Sequence, residues 1–244
     1  MSEEGLTKSI PGVPSSAEIR QTLADEGRTV CVAFSGGKDC IAAELALQDA
    51  GVDTVLAHLY LIPGEEPGST LRFVEDGLKA IEDKFQKKVH RYPHPSFYRW
   101  LNNFVFQAPE RLVTIWSAKL PTPDYDVMWS LIKEDLQLPE DTWVADGVRA
   151  ADSLVRRASI KRHGAMKPGN HKVSPVWDWK QGKVYDYIAD HNVPLPVDYE
   201  WFGRSFDGID YRFLKPIADN APDDFEQILK WFPLAELELI RNGL

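Results

Sequence analysis

Five consecutive residues, Ser35 to Asp39, supply a hydroxyl, two glycines, an ammonium and a carboxylate. Before them runs the apolar segment Cys31-Val32-Ala33-Phe34, and Cys40 and Ile41 follow. Read in order, this is a buried strand, a tight turn and the start of a helix near Asp39. Glycine lets the backbone take positive φ and approach a ligand with no Cβ in the way. Successive N–H groups and a helix N-terminus then converge on one point that favours negative charge. Ser35 adds a hydroxyl and Lys38 a mobile point charge. The guest such a turn suits is a phosphate or pyrophosphate. Without a guest, the same residues are a plain strand–turn–helix junction, although that needs only one glycine and a cap.

The spacing excludes two common phosphate loops. A Walker loop has four residues between its first glycine and Gly-Lys, and the dinucleotide fingerprint spaces three glycines differently.

The elements that must position this turn alternate. Ser15 and Glu18 form a capping box that opens a helix reaching about Glu26. Strand-like runs cover 29–34, 53–60, about 87–92, 142–146 and 173–176, and helical runs cover 39–50, about 69–85, 124–136 and 182–191. Residues 95–107 are a helix or an irregular aromatic segment, and the tail from Ala221 holds one or two further helices. Alternation of this kind predicts a parallel sheet covered on both faces, with ligands beyond the carboxyl ends of its strands. Residues 1–14 are polar, contain Pro11 and Pro14, and are expected to be a flexible arm; 15–244 is expected to be a single nucleotide-binding domain, with 177–244 as its C-terminal extension.

Bulk properties narrow the function. A chain of 244 residues can bury a substantial core. A formal charge of −9 disfavours extended nucleic acid and anionic membrane as partners, so an anion site must be a local basic patch. Two cysteines, Cys31 and Cys40, flank one turn, and no Cys-x-x-Cys or Cys/His cluster suggests structural zinc or an iron–sulfur centre. This cysteine usage fits a reducing, cytoplasmic setting. No apolar run approaches the ~20 residues of a membrane span, and the N-terminus lacks the features of a signal peptide. Phe97, Tyr98, Trp100, Phe104 and Phe106 form either a core wall or a homodimer face.

A second cluster begins at Gly147-Val148-Arg149 and continues through Asp152, Ser153, Arg156 and Arg157. It follows a strand end, as the Ser35 turn does, so the two can face one crevice. An arginine here can grip phosphate or sulfate with two parallel hydrogen bonds. Lys161, Arg162, His163, Lys167, His171 and Lys172 come next, broken by glycines and Pro168. This stretch is expected to be a mobile loop, either a polyanion clamp or a solvated charged segment.

The Ser35 turn resembles the pyrophosphate loop of the N-type ATP pyrophosphatases (the PP-loop superfamily), and Lys38 resembles their phosphoadenylyl-sulfate (PAPS) reductase-like branch. That loop usually reads Ser-Gly-Gly-x-Asp-Ser; here Ser35, Gly36, Gly37 and Asp39 match and Cys40 departs. The Gly147-Val148-Arg149 segment and the later Pro175 to Trp179 and Val184 to Ile188 segments are similar to that branch too, so the likeness spans about 28–200. It implies a Rossmann-like α/β/α fold of the adenine nucleotide alpha hydrolase type, three layers with a mainly parallel five-stranded sheet and a helical C-terminal extension.

The resemblance also implies function: cleavage of ATP between its α- and β-phosphates, with adenylyl transfer to an unidentified acceptor and Mg²⁺ as cofactor. Ser35, Gly36 and Gly37 would hold the leaving phosphates and Lys38 would neutralise them. Asp39 would hold Mg²⁺ or cap its helix. Arg149 would contact the α-phosphate or the acceptor, with Gly147, Arg156 and Arg157 in the same segment. His58 and Tyr60, on the second strand, would lie near adenine, although His58 in a strand is also simply a buried histidine. Cys40 either stands in for the usual serine or is a thiol activated by its helix terminus and neighbouring lysine. The reductases' nucleophile lies in a C-terminal Glu-Cys-Gly-x-His segment, and no cysteine follows Cys40, so sulfite release by that route is not expected. The alternatives are a protein that binds PAPS or adenylyl sulfate without a nucleophilic cysteine of its own, and a non-catalytic nucleotide-binding module.

Overall fold

The computed structural model of the chain describes residues 7–243. In order, its elements are α1 (Ser16–Glu26), β1 (Val30–Ala33), α2 (Lys38–Asp49), β2 (Thr54–Tyr60), α3 (Arg72–Phe85), β3 (Val89–Pro93), α4 (Pro95–Leu101), α5 (Pro109–Ala118) and α6 (Tyr125–Asp135). There follow β4 (Val144–Ala145), α7 (Leu154–His163), β5 (Met166–Lys167), β6 (Lys172–Val173), α8 (Gln181–Asp190), α9 (Asp198–Phe202), α10 (Tyr211–Asn220), α11 (Pro222–Trp231) and α12 (Leu237–Arg241).

One mostly parallel sheet carries the strand order β3-β2-β1-β4-β6-β5. β1 pairs in parallel with β2 and with β4, and β4 with β6; Cys31 stands between Val55 and Val144. From β1 the chain first builds outward through β2 and later through β4 on the other side. The loops after β1 and β4 therefore part at the point where strand order reverses, which is where open α/β sheets bind ligands.

The expected mainly parallel α/β architecture is what forms, with six strands rather than five. The extra strand, β5, pairs antiparallel with β6. It lies in the stretch expected to be a mobile loop. That stretch is ordered for local reasons. Ser153 caps α7 by accepting from the Arg156 amide, the helix ends at Gly164 (φ 77°), and His171 (φ 49°) turns the chain back into β6. Lys161, Arg162 and His163 thus belong to a helix.

The chain divides into two compact units. The first takes in the chain up to His58, Ile81–His90 and Trp129–Pro194; the second comprises Leu59–Ala80, Arg91–Met128 and Leu195–Leu244. The stretch from 177 onward, read as one extension, is shared between them. In the first unit Val30, Cys31, Val32, Leu56, Ala57 and Ala145 are sealed from solvent, and α2 buries Ile41, Leu45 and Leu47. The second unit has its own core, in which Phe97, Phe213, Leu214, Ile217, Ile228 and Phe232 are buried. Phe97 packs edge-on against Trp231 and Phe232, so this part of the aromatic run is a core wall, while Phe104 is exposed. Among the described residues no helix is long and apolar enough to cross a membrane.

The expected capping box at Ser15 and Glu18 is present. Residues 1–6 of the expected arm lie outside the described residues, but from Thr7 onward the segment is fixed. Thr7 bridges Trp179, Ile10 is buried, and the Trp177 indole donates to the Pro14 carbonyl at 3.0 Å. The anchor is Asp178, a buried carboxylate that accepts from the Ser16 amide (3.1 Å) and hydroxyl (2.5 Å). Trp177 and Trp179 are therefore core residues. Asp178→Ala leaves two donors in a dry site, so it should lower unfolding free energy by about 2–4 kcal/mol, read from denaturant titration.

Candidate active site

β1 ends in a turn whose shape depends on its glycines. Gly36 has φ 77°, a region costly for other residues, and Gly37 begins α2 as an N-cap without a side chain. The turn also bonds to itself. The Gly37 amide donates to Ser35 Oγ (3.3 Å), Cys40 Sγ donates to the Gly37 carbonyl (3.0 Å), and Ser35 Oγ lies 3.4 Å from Cys40 Sγ. Burial pushes the Cys40 thiol up to about 11, more than hydrogen bonds from Ser35 and the Gly36 backbone pull it down. Of the two readings of Cys40, this favours the stand-in for serine over the activated thiol, because desolvation outweighs the helix terminus and the lysine. Cys40 shapes the turn from inside, and Cys31, deep in β1, is pushed up to about 12 by burial.

The loop after β4 meets this turn at Gly147. A Cβ there would fall 2.7 Å from the Asp39 carbonyl carbon and 2.9 Å from the Cys40 nitrogen. Only glycine allows that approach. Gly147, expected as a ligand contact, is thus the point at which the two loops touch. Two residues on, Arg149 is buried at 4% exposure. Its Nη2 lies 2.6 Å from Asp152 Oδ1, and its Nε stands 2.9 Å from Asp39 Oδ1 as an ion pair outside hydrogen-bond geometry. Its Nη1 has no hydrogen-bond partner among the described residues. Buried guanidinium N–H groups are almost always satisfied, so an orphaned one marks a place prepared for an acceptor.

The pairs continue outward. Lys38 Nζ sits 2.8 Å from Asp39 Oδ2, and Arg156 Nη1 2.5 Å from Asp152 Oδ2. Lys38, Asp39, Arg149, Asp152 and Arg156 form a row of alternating charge with one net positive unit. Of the expected site residues, this row brings together Lys38, Asp39, Arg149 and Arg156. Arg157 is exposed on α7 and makes no ion pair among the described residues. His58 is buried, with Nδ1 2.9 Å from the Phe34 carbonyl, so it braces the strand end that precedes Ser35. Tyr60 belongs to the second unit; its carbonyl accepts from the His94 amide, and burial pushes its phenol up.

Asp39 does not by itself make a magnesium site. Its two oxygens face Lys38 and Arg149, and among the described residues no group of three or more His, Cys, Asp or Glu could hold a metal ion. A carboxylate between two cations does not fit Mg²⁺, which needs several oxygen ligands at once.

Sequence reasoning passed over Asp146. It lies half-buried at the end of β4, and its Oδ1 accepts from Ser174 Oγ (2.7 Å) and the Val148 amide (3.0 Å). Burial raises its pKa, partly offset by those donors and by Lys167 and Arg156. An acidic residue ending a strand at the switch point was the available signal.

Residues 29–200 match the family described as the phosphoadenosine phosphosulfate reductase domain. The chain belongs to this family, within the PP-loop superfamily. Adenosine 5'-phosphosulfate reductase from Allochromatium vinosum is 24% identical over 197 residues, 77% of this chain and 70% of that protein. Argininosuccinate synthase from Shouchella clausii is 26% identical over 178 residues, 70% of this chain but only 41% of the synthase, so the chain spans well under two thirds of that relative. The crystal structure of PAPS reductase from Candida auris, a phosphate complex, shares 15% identity at a TM-score of 0.46, covering 80% of this chain and 88% of that one.

Gly147→Ala should cost about 1–3 kcal/mol of stability, because backbone rather than a flexible side chain blocks the new methyl group; thermal denaturation reads this. With its thiol near 11, Cys40 is about one part in a thousand thiolate at pH 8, so the folded chain should resist iodoacetamide and react only when denatured, read by mass spectrometry.

Proposed function

We propose that the crevice beyond β1 and β4 binds the phosphates of ATP and cleaves the nucleotide between its α- and β-phosphates, transferring the adenylyl group to an acceptor. The observation that carries this reading is the buried Arg149 with its orphaned Nη1, held beside the glycine turn and the N-terminus of α2. Phosphoryl chemistry asks for positioning and charge neutralisation more than covalent help. The turn and helix terminus would receive the leaving pyrophosphate. Lys38 would shift from Asp39 to the phosphates. Arg149, clamped by Asp152, would present Nη1 to the α-phosphate. Mg²⁺ would enter with the nucleotide's own oxygens as ligands.

A second reading is favoured by the family match: PAPS or adenylyl sulfate as the ligand. The basic residues of α7, next to Asp152, would suit a further phosphate. Against reduction by this chain's own residues stand its two thiols, both buried and both pushed well above neutrality.

Pyrophosphate release from labelled ATP tests the first reading. The wild-type chain should release it, and Lys38→Ala should slow release about 100-fold or more, as expected for losing a charge aimed at the leaving group. Arg149→Lys should fail similarly, since a point charge cannot keep both the Asp152 bond and the Nη1 direction. Tighter binding of phosphoadenosine bisphosphate than of ATP, with no pyrophosphate released, would replace the first reading with the second.

A further inference from the structure

We propose that Asp146 is the general base of the transfer: its free carboxylate oxygen takes the proton of the attacking nucleophile on the side of the crevice away from the glycine turn. This inference rests on the ATP-cleaving reading above and adds to it a residue and a direction of attack.

The geometry is specific. Asp146 directly precedes Gly147, whose backbone lies against Asp39 and Cys40, so the carboxylate stands one residue from the turn. Its side chain faces the β6 side, where Ser174 Oγ and the Val148 amide both bond Oδ1. Oδ2 has no hydrogen-bond partner among the described residues. Two donors on one oxygen fix the carboxylate and leave the other as the basic atom. Transfer at phosphorus is in line, so a nucleophile enters opposite the departing pyrophosphate. With pyrophosphate at the N-terminus of α2, the entry side would be at the end of β4, on the side of Ser174 that Asp146 faces. The charged groups acting on it are Lys167 on β5 and Arg156 on α7. Burial outweighs them and holds the carboxyl above its ordinary range, nearer the value a general base needs at neutral pH.

The step balances. The nucleophile's lone pair forms a bond to the α-phosphorus as the bond to the bridging oxygen breaks. That electron pair leaves on pyrophosphate, and the nucleophile's proton passes to Asp146 Oδ2. Water serves as the probe nucleophile, giving AMP and pyrophosphate.

The test measures AMP formation from ATP labelled at the α-phosphate, as a function of pH, with the full chain. In the wild type the rate should rise through an inflection above the ordinary carboxylate range and then level. Asp146→Asn should abolish that inflection and lower the rate about 100-fold or more, with inorganic pyrophosphate affinity by calorimetry unchanged within twofold. Ser174→Ala removes a donor to the ionised carboxylate, so the inflection should move to higher pH. This second variant keeps the proposal testable should the asparagine variant not fold. An Asp146→Asn enzyme that keeps the inflection, or a rate within threefold, overturns this inference alone, as does a Ser174→Ala profile that does not move. A wild type that binds pyrophosphate but forms no AMP overturns the ATP-cleaving reading and this role with it.

Discussion

The backbone of Gly147 against the first turn of α2 is the constraint on which the site depends. β1 and β4 are neighbours in the sheet, but adjacency alone leaves their loops free to diverge. The missing Cβ lets the second loop close onto the first, and this brings Arg149 to Asp39. Any side chain at 147 would separate a guanidinium from the turn it serves. The glycines at 36 and 147 thus do different work: one bends the chain through a left-handed conformation, the other admits a neighbour.

Burying a guanidinium is costly unless its charge is met. Here two carboxylates meet it, and each also has a second cation, Lys38 or Arg156. The resulting row is nearly neutral at its centre and positive at its ends. It can exist inside a chain of formal charge −9 because its partners are local rather than drawn from the surface field. Among the described residues, Arg149 Nε faces Asp39 as an ion pair only and Nη1 has no partner at all, and that gives the row a direction.

Much of this was legible in the sequence because glycine, capping and strand signals act locally. The capping box at Ser15, the turn at Ser35 and the alternating strands each depend on residues a few positions apart. What escaped depends on distant neighbours. β5 exists only because β6 offers it an edge, and two residues carry no strand signal of their own. α7 was hidden because its composition reads as a solvated run; its Ser153 cap and Gly164 stop were in view but were outweighed by that charge. The neighbours of Cys40 in sequence leave two readings open, and burial, which no local pattern reports, decides against the activated thiol. The packing role of Gly147 is invisible in local sequence, since its contact is with a residue more than a hundred positions earlier.

The row of charges also constrains what can bind. Lys38 and Arg156 are already engaged at 2.8 and 2.5 Å, and two unit charges about 4 Å apart attract by about 4 kcal/mol near a protein surface. A monoanion gains one contact at Nη1 and must compete with Asp39 for Lys38 on equal terms. A ligand with several charges on linked oxygens can meet the helix terminus, Lys38 and Nη1 together, and the second and third contacts follow without further loss of translational freedom. On the ATP-cleaving reading proposed above, selectivity for a polyphosphate chain over free phosphate would therefore arise from Asp39 itself. The carboxylate would act as a competitor that only a multiply charged guest displaces, which would account for an acidic residue standing between two cations at the proposed phosphate site.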